Sequence, residues 1–101
     1  MKALLTLAAL TLAAAVPAQA NQALAQKHAC LACHAVDKKV VGPAYLEVAK
    51  KYAGKVDAAQ LAKSIKAGGA GKWGPVPMPA QDALSEADAL TLAKWVLGGA
   101  K

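Results

Sequence analysis

The apolar residues of this chain recur with the spacing of amphipathic helices in several stretches after residue 20. The clearest example has Tyr45, Val48, Ala49 and Tyr52 at positions i, i+3, i+4 and i+7, which places them on one helical face. No stretch shows the strict alternation of apolar and polar residues that a half-buried strand requires. The pattern therefore predicts an all-α protein.

Residues that favour helix ends divide this pattern into four predicted helices. Pro43 is expected in the first turn of the second helix, and Asp57 and Ser85 are expected to cap the third and fourth. Residues 68–84 are rich in Gly and Pro and cannot form a regular element, and a long irregular segment of this kind is usually functional or disordered. The four helices are expected over approximately residues 22–32, 43–54, 57–68 and 85–98.

The first 20 residues are predicted to be an export signal that is cleaved from the mature protein. Lys2 precedes an uncharged apolar run over residues 3–16, and residues 18–20 have the A-x-A form of a signal-peptidase site. The apolar run is too short to span a bilayer comfortably, which argues against a membrane anchor. We therefore expect residues 21–101 to form one exported domain that is not inserted in a membrane after cleavage.

The remaining domain is small, and it has few bulky residues with which to fill a core. It contains no Phe, and its aromatic residues are Tyr45, Tyr52, Trp73 and Trp95. Small domains often need a metal, disulfides or another group to become stable. A buried apolar cofactor would supply the missing bulk.

Cys30, Cys33 and His34 form the C-x-x-C-H pattern that is typical of covalent c-type haem attachment. Residues three apart near the end of a helix lie on one face, so the two cysteines can each reach one vinyl group of a haem. The histidine follows at once and can turn beneath the ring to ligate the iron. The motif therefore predicts one haem held by two thioethers.

A C-x-x-C pair has three other uses that compete with haem attachment. A thiol–disulfide redox pair usually lies beside a β-α-β pattern, which this chain lacks. A structural zinc site usually needs four ligands, and His28 and His34 are too close to the cysteines for the usual spacing. A plain disulfide is the simplest alternative, although a gap of two residues makes it uncommon.

Met78 is the candidate for the sixth iron ligand. It is the only methionine after the export signal, and it lies between Pro77 and Pro79, which stiffen the backbone and reduce the entropy lost on placing it. A thioether favours Fe(II) and raises the reduction potential relative to two histidines. His28 competes for this role, but it precedes Cys30 by two residues on the same predicted helix, roughly 200° around it. We expect His28 to be a surface residue that points away from the haem.

Two filled axial positions indicate a one-electron carrier and not an enzyme. A peroxidase or gas-binding protein needs an open or displaceable sixth site and a polar distal group, and Met78 argues against both. A thiol redox protein without haem is the third alternative. An absorption spectrum distinguishes the three, because only the carrier has a low-spin haem with a methionine ligand.

The chain resembles the small class I cytochromes c of the c-551/c-552 (cytochrome c8) type. The resemblance rests on the export signal, the C-x-x-C-H motif and the sequences VGPA at 41–44, WGPVPMP at 73–79 and AKWV at 93–96, and it covers essentially all of residues 21–101. It implies a four-helix all-α fold around one covalently bound haem c with its iron, in which the first and last helices cross. It also implies a periplasmic carrier that shuttles electrons between membrane respiratory complexes and soluble or membrane reductases or oxidases, such as nitrite reductase or a cytochrome oxidase.

Individual roles follow from the resemblance by position. The Pro43 carbonyl would accept a hydrogen bond from the His34 ring, as metal-bound histidines generally require. The Trp73 indole N–H would donate to a haem propionate; simple packing is the alternative. Gln81 stands where many relatives have Asn near the Met sulfur, and Ala25 stands where relatives often have an aromatic residue. We expect Ala25, with Ala29 on the same stripe of the first helix, to face Trp95.

The charge of the chain is basic and comes from lysine alone. Twelve lysines and six acidic residues give a formal net charge of +6, and loss of Lys2 with the export signal leaves +5. The absence of Arg argues against nucleic-acid binding, which favours Arg for bidentate contacts.

Lys38, Lys39 and Lys72 flank the two ligand-bearing segments, so we expect them to surround the exposed haem edge. We therefore expect redox partners with acidic docking surfaces, and a protein that is itself a monomer. The alternative is that the lysines only keep the protein soluble. The expected apolar residues of the edge are Ala32, Val36 and Val76.

Overall fold

The computed structural model describes residues 17–101 and contains, within that range, four α-helices and one turn of 3-10 helix. The helices are α1 (Pro17–Lys27), α2 (Tyr45–Tyr52), α3 (Ala58–Ala67) and α4 (Glu86–Leu97), and the 3-10 turn covers Cys30–Ala32. Among the described residues, β-type pairing is limited to two isolated bridges. The all-α prediction is therefore confirmed. Residues 1–16 of the predicted export signal lie outside the described residues.

Helix α1 ends at Lys27 and not at residue 32 as predicted. The His28 N–H still donates to the Leu24 carbonyl at 3.2 Å, but Ala29 has a φ of 61°, in the left-handed region. A residue in that region cannot continue a right-handed helix. The predicted pairing of Ala25 and Ala29 on one helical stripe is consequently wrong, because Ala25 is fully buried and Ala29 is exposed.

The starts of the other helices follow the capping signals in two cases out of three. The Asp57 side chain accepts from the Gln60 N–H at 2.8 Å, and the Gln60 side chain accepts from the Asp57 N–H at 3.0 Å, which is a complete capping box. The Ser85 hydroxyl accepts from the Asp88 N–H at 3.0 Å at the start of α4. Pro43, however, lies before α2 and not in its first turn, because that helix begins at Tyr45.

Helix α4 packs against each of the other three helices within the described residues and forms the centre of the core. Its Trp95 is only 4% exposed and meets the Tyr45 ring edge to face, with ring centroids 5.4 Å apart. Edge-to-face pairs add about 0.5–1.5 kcal/mol to the stability gained from burial. The buried residues of this core are Ala25, Tyr45, Val48, Leu61, Ala62, Leu84, Ala89, Leu92, Ala93, Trp95 and Val96.

None of the helices within residues 17–101 is long and apolar enough to cross a membrane.

Candidate functional site

A cavity of about 390 Å³ lies between the 3-10 turn, α2, α3, α4 and the irregular segment 68–84. Apolar side chains from three helices form much of its wall, among them Val48, Ile65 and Val96. Every residue that the sequence singled out for cofactor contact lines it, although these residues are spread over nearly fifty positions of the chain. They are Cys30, Cys33, His34, Pro43, Trp73 and Met78.

The two cysteines project from the 3-10 turn. Residues three apart eclipse one another in such a turn, and the N–H groups of Cys33 and His34 both donate to the Cys30 carbonyl, at 3.2 and 3.0 Å. Both cysteines are free thiols and partly buried. Burial raises the pKa of the Cys30 thiol, an effect that a hydrogen bond with Tyr45 partly opposes.

The His34 imidazole is held on three sides. Its Nδ1 lies 2.8 Å from the Pro43 carbonyl oxygen, which can only accept, so Nδ1 carries the proton and Nε2 is left with a lone pair. The Tyr45 ring stacks on the imidazole with centroids 5.0 Å apart. A Cβ on Gly42 would come within 2.6 Å of the imidazole Cε1, so only glycine leaves room for the ring.

The roles of Gly42 and Tyr45 were missed in the sequence, where the first appeared only as part of a motif and the second as part of a helical face. The position of Gly42 directly before a proline that accepts from the histidine was the signal available. The role of Gly42 becomes clear only in the folded chain, because residues 41 and 42 fold back on the C-x-x-C-H motif. The N–H groups of Val41 and Gly42 both donate to the Cys33 carbonyl there, at 3.1 and 2.7 Å.

Met78 is anchored to the end of α3 by backbone hydrogen bonds. The Met78 N–H donates to the Gly69 carbonyl at 2.7 Å, and the Gly69 N–H donates to the Met78 carbonyl at 3.0 Å. Gly68 has a φ of 68°, and a Cβ there would collide with the backbone of Met78 and Pro79. The segment can therefore approach the end of α3 closely only because residue 68 is a glycine.

Gln81 extends this anchor beyond the methionine. Its N–H donates to the Lys66 carbonyl at 2.8 Å, and its side-chain amide donates to the Pro79 carbonyl at 3.0 Å. The side chain thus closes the turn that follows Met78. The backbone of Met78 is thus hydrogen-bonded to Gly69, just beyond α3, and the backbone of Gln81 is hydrogen-bonded to Lys66 within α3, which gives the thioether side chain a fixed support.

His28 is not the surface residue that was predicted. Its side chain is 18% exposed, it lines the cavity, and its Nε2 lies 3.8 Å from a carboxylate oxygen of Asp88 in the first turn of α4. The prediction assumed a continuous helix from residue 22 to Cys30. Because α1 ends at Lys27, the angular offset between His28 and Cys30 does not apply.

Trp73 stands at the border of the cavity, partly exposed. Its ring contacts the Tyr52 ring edge to face, with centroids 6.1 Å apart, and the Lys51 ammonium lies 4.6 Å from its centroid. Simple core packing does not describe this residue, since the other tryptophan, Trp95, is the one enclosed by the core.

These features together fit a covalently attached haem. The walls of the cavity are largely apolar, two thiols project from one turn, an imidazole nitrogen with a free lone pair lies beside them, and a thioether enters from another segment. Imidazole and thioether are suitable axial ligands for haem iron, and the carbonyl that orients the imidazole is the support such a ligand needs.

Comparison with known proteins also indicates a protein with a covalently attached haem. The model of the cytochrome c family matches residues 18–99. The chain is 53% identical to cytochrome c-552 of Nitrosomonas europaea over 93 residues, which are 91% of this chain and 90% of that protein. It is 53% identical to cytochrome c-551 of Pseudomonas aeruginosa over 81 residues, which are 79% of this chain and 77% of that protein.

The fold agrees with a solved structure as well. The crystal structure of wild-type Nitrosomonas europaea cytochrome c552 matches with a TM-score of 0.73 and 52% identity, over 76% of this chain and 96% of that one. From the fold, the cavity and these matches it follows that the chain belongs to the cytochrome c family, as a small class I member of the c-551/c-552 type that carries one covalent haem c and transfers electrons without being an enzyme.

Proposed function

We propose that this protein is a periplasmic one-electron carrier in which His34 and Met78 ligate the haem iron and Cys30 and Cys33 attach the haem through thioethers. The observation that supports this most strongly is the convergence of these four side chains on one largely apolar cavity, with Nδ1 of the histidine occupied by Pro43. The bound haem supplies the one-electron chemistry, through its Fe(II)/Fe(III) couple.

The protein residues determine which chemistry that haem performs. His34 is oriented by Pro43, Tyr45 and Gly42, so its Nε2 is the ring nitrogen available to iron. Met78, from the irregular segment 68–84, would provide a soft neutral donor, which favours the reduced state. With His34 and Met78 both bound to the iron, no position would be left for a substrate, peroxide or gas, and the site would be limited to electron exchange.

The surroundings of the haem support the same role. A largely apolar wall excludes water and disfavours the added positive charge of Fe(III), which again raises the reduction potential. Trp73, at the rim, carries the indole N–H that we assign to a haem propionate. The Pro43 carbonyl, which accepts from His34, completes the set of cofactor-binding residues.

We also propose that residues 1–20 are an export signal and that residues 21–101 are the mature protein. The support is the A-x-A site at residues 18–20, together with the requirement that c-type haem is attached outside the bacterial cytoplasm. Helix α1 begins at Pro17, so cleavage after Ala20 would remove its first turn. Intact mass under denaturing conditions should equal the chain from Asn21 plus one haem, and a chain that loses its haem in acid–acetone would contradict this.

The partners that we propose are membrane respiratory complexes and reductases or oxidases, such as nitrite reductase or a cytochrome oxidase, that present acidic surfaces to a monomer. The exposed large apolar residues include Val40, Val41 and Val76, and the last two also line the cavity. Lys38 and Lys39 directly precede Val40 and Val41 in the chain. A small apolar contact surrounded by flexible positive charges suits rapid and transient association.

Val36 does not belong to this surface, contrary to the expectation from sequence. It is partly buried and packs against the core, whereas Ala32 and Val76 are exposed as expected. The apolar edge therefore keeps Ala32 and Val76 of the expected residues, and Val40 and Val41 are added to it.

The absorption spectrum of the holoprotein tests the proposed function. A low-spin spectrum with the weak far-red band of thioether-ligated ferric iron is expected, together with reversible one-electron oxidation. The ferrous protein should not bind carbon monoxide readily. A high-spin spectrum or ready binding of carbon monoxide would instead favour a haem enzyme or a gas-binding protein.

A further inference from the structure

Trp73 lies in a short loop that constrains its backbone weakly. Gly71 and Gly74 flank it, with φ of 90° and 125°, and the Gly71 N–H donates to the Gly74 carbonyl at 3.2 Å. The residue is 36% exposed although it also lines the cofactor cavity. Glycine-flanked loops have many accessible conformations. Contacts made by the indole itself therefore help to determine where it lies.

Those contacts come from the last turn of α2. The Tyr52 ring meets the indole at 81°, and the Lys51 ammonium lies 4.6 Å from the Trp73 centroid and 5.5 Å from the Tyr52 centroid. Both distances fall within the range over which a cation is attracted to an aromatic face. One ammonium thus joins two rings from separate segments, and we call Lys51, Tyr52 and Trp73 the aromatic clamp.

The adjacent lysine makes a different contact. Lys50 lies 3.3 Å from a carboxylate oxygen of Glu47 on the same helix, an exposed pair that contributes little to stability. The Lys51 ammonium instead lies over the Tyr52 and Trp73 rings. Of these two neighbouring lysines, only Lys51 therefore contacts the aromatic residues.

Trp73 also borders two spaces. It lines the large cavity that is lined by the cysteines, His34 and Met78, and it lines a surface pocket of about 270 Å³ together with Lys38 and Lys39. Pro43 is the other residue that lines both. The placement of the indole therefore shapes the rim of the cofactor cavity.

We propose that Lys51 is a positioning residue of the haem site. Its ammonium holds the Trp73 indole in place at the rim of the cavity, with the indole N–H kept available to a haem carboxylate. The inference rests on the proposed function, in which Trp73 donates to a propionate. Lys51 itself acts only through the rings, and it is not among the residues that line the cavity.

Hydrogen–deuterium exchange of the indole N–H groups, followed by NMR on the ferrous holoprotein, tests the clamp. The variant Lys51→Met removes the charge and keeps an unbranched side chain, and Lys51→Arg keeps a cation for the rings. Lys55→Met is the matched control, since it removes one nearby charge. We expect the Trp73 N–H to exchange about two- to five-fold faster in Lys51→Met, as the strength of exposed cation–π contacts implies.

The Trp95 indole N–H is buried and serves as the internal reference for global opening. Its exchange should be the same in all variants, and Lys51→Arg should restore slow exchange at Trp73. Unchanged exchange at Trp73 in Lys51→Met, equal acceleration in Lys55→Met, or parallel acceleration at Trp95 would each overturn the proposal. Failure of the proposed function looks different: the wild-type holoprotein would lack the low-spin spectrum, or its Trp73 N–H would already exchange as fast as a free indole.

Discussion

Gly42 lies so close to His34 that a single added methyl group at its Cα would come within 2.6 Å of the imidazole Cε1. The imidazole is held at the same time by the Pro43 carbonyl and by the Tyr45 ring, so it cannot move away from residue 42 without disturbing these contacts. The histidine orientation therefore depends on the absence of a side chain at position 42.

Gly42→Ala should displace the His34 ring and weaken its hydrogen bond to Pro43. We expect a loss of about 1–3 kcal/mol in the free energy of unfolding, as for overpacked cores, together with a changed ferric spectrum. Urea unfolding of the holoprotein measures the first quantity. Gly69→Ala is the control, because a Cβ there meets nothing within 4 Å. Equal stability of the two variants would show that the ring can move freely.

Replacement of Met78 tests the sixth ligand. Met78→Ala should open the iron to carbon monoxide or water, whereas Met78→His should keep a low-spin haem and lower the reduction potential, because imidazole stabilises Fe(III) better than a thioether. The measurements are ferric spectra, carbon monoxide binding and potentiometric titration. Val76→Ala, two residues away and exposed, should leave the ligand field unchanged. If wild type and Met78→Ala share one ferric spectrum, the methionine is not a ligand.

Removal of the buried tryptophan tests the packing of α4. Trp95→Ala should lower the free energy of unfolding by about 3–5 kcal/mol, as large-to-small changes in cores do, since this side chain is almost fully buried and contacts Tyr45. Denaturant titration of the ferrous holoprotein gives the value. Trp73→Ala, at a partly exposed position, should cost less. A loss below about 1 kcal/mol for Trp95→Ala would be inconsistent with the packing described.

Charge reversal of single lysines tests the proposed docking surface. Lys38→Glu or Lys72→Glu should slow electron transfer to an acidic partner more than Lys101→Glu, which changes the chain end. Wild-type rates should fall as salt rises, because the Debye length shrinks from about 10 Å at 0.1 M to about 3 Å at 1 M. Stopped-flow kinetics at several ionic strengths measures both effects. Rates that ignore salt, or equal effects at Lys72 and Lys101, would assign the lysines to solubility alone.

Local sequence determined most of the helical framework. The capping box of Asp57 and Gln60 and the cap at Ser85 form as predicted, because their hydrogen bonds join residues three apart and need no distant partner. Four of the six candidate cofactor residues were also predictable from the residues themselves: Cys30, Cys33 and His34 from their motif, and Met78 as the single methionine in an irregular segment. The roles of Pro43 and Trp73 were expected only from the resemblance to a family.

Tertiary structure decided what depends on segments that are remote in sequence. Ala29 adopts a left-handed conformation that ends α1 early, and this brings His28 towards Asp88 of α4 and not to the surface. Pro43 lies outside α2, where its carbonyl meets His34. The contact of Lys51 with Trp73 likewise joins positions 22 residues apart. These arrangements follow from contacts between residues that are far apart in the sequence. The periodicity of apolar residues reports only on neighbours within one helix, so it cannot predict such contacts.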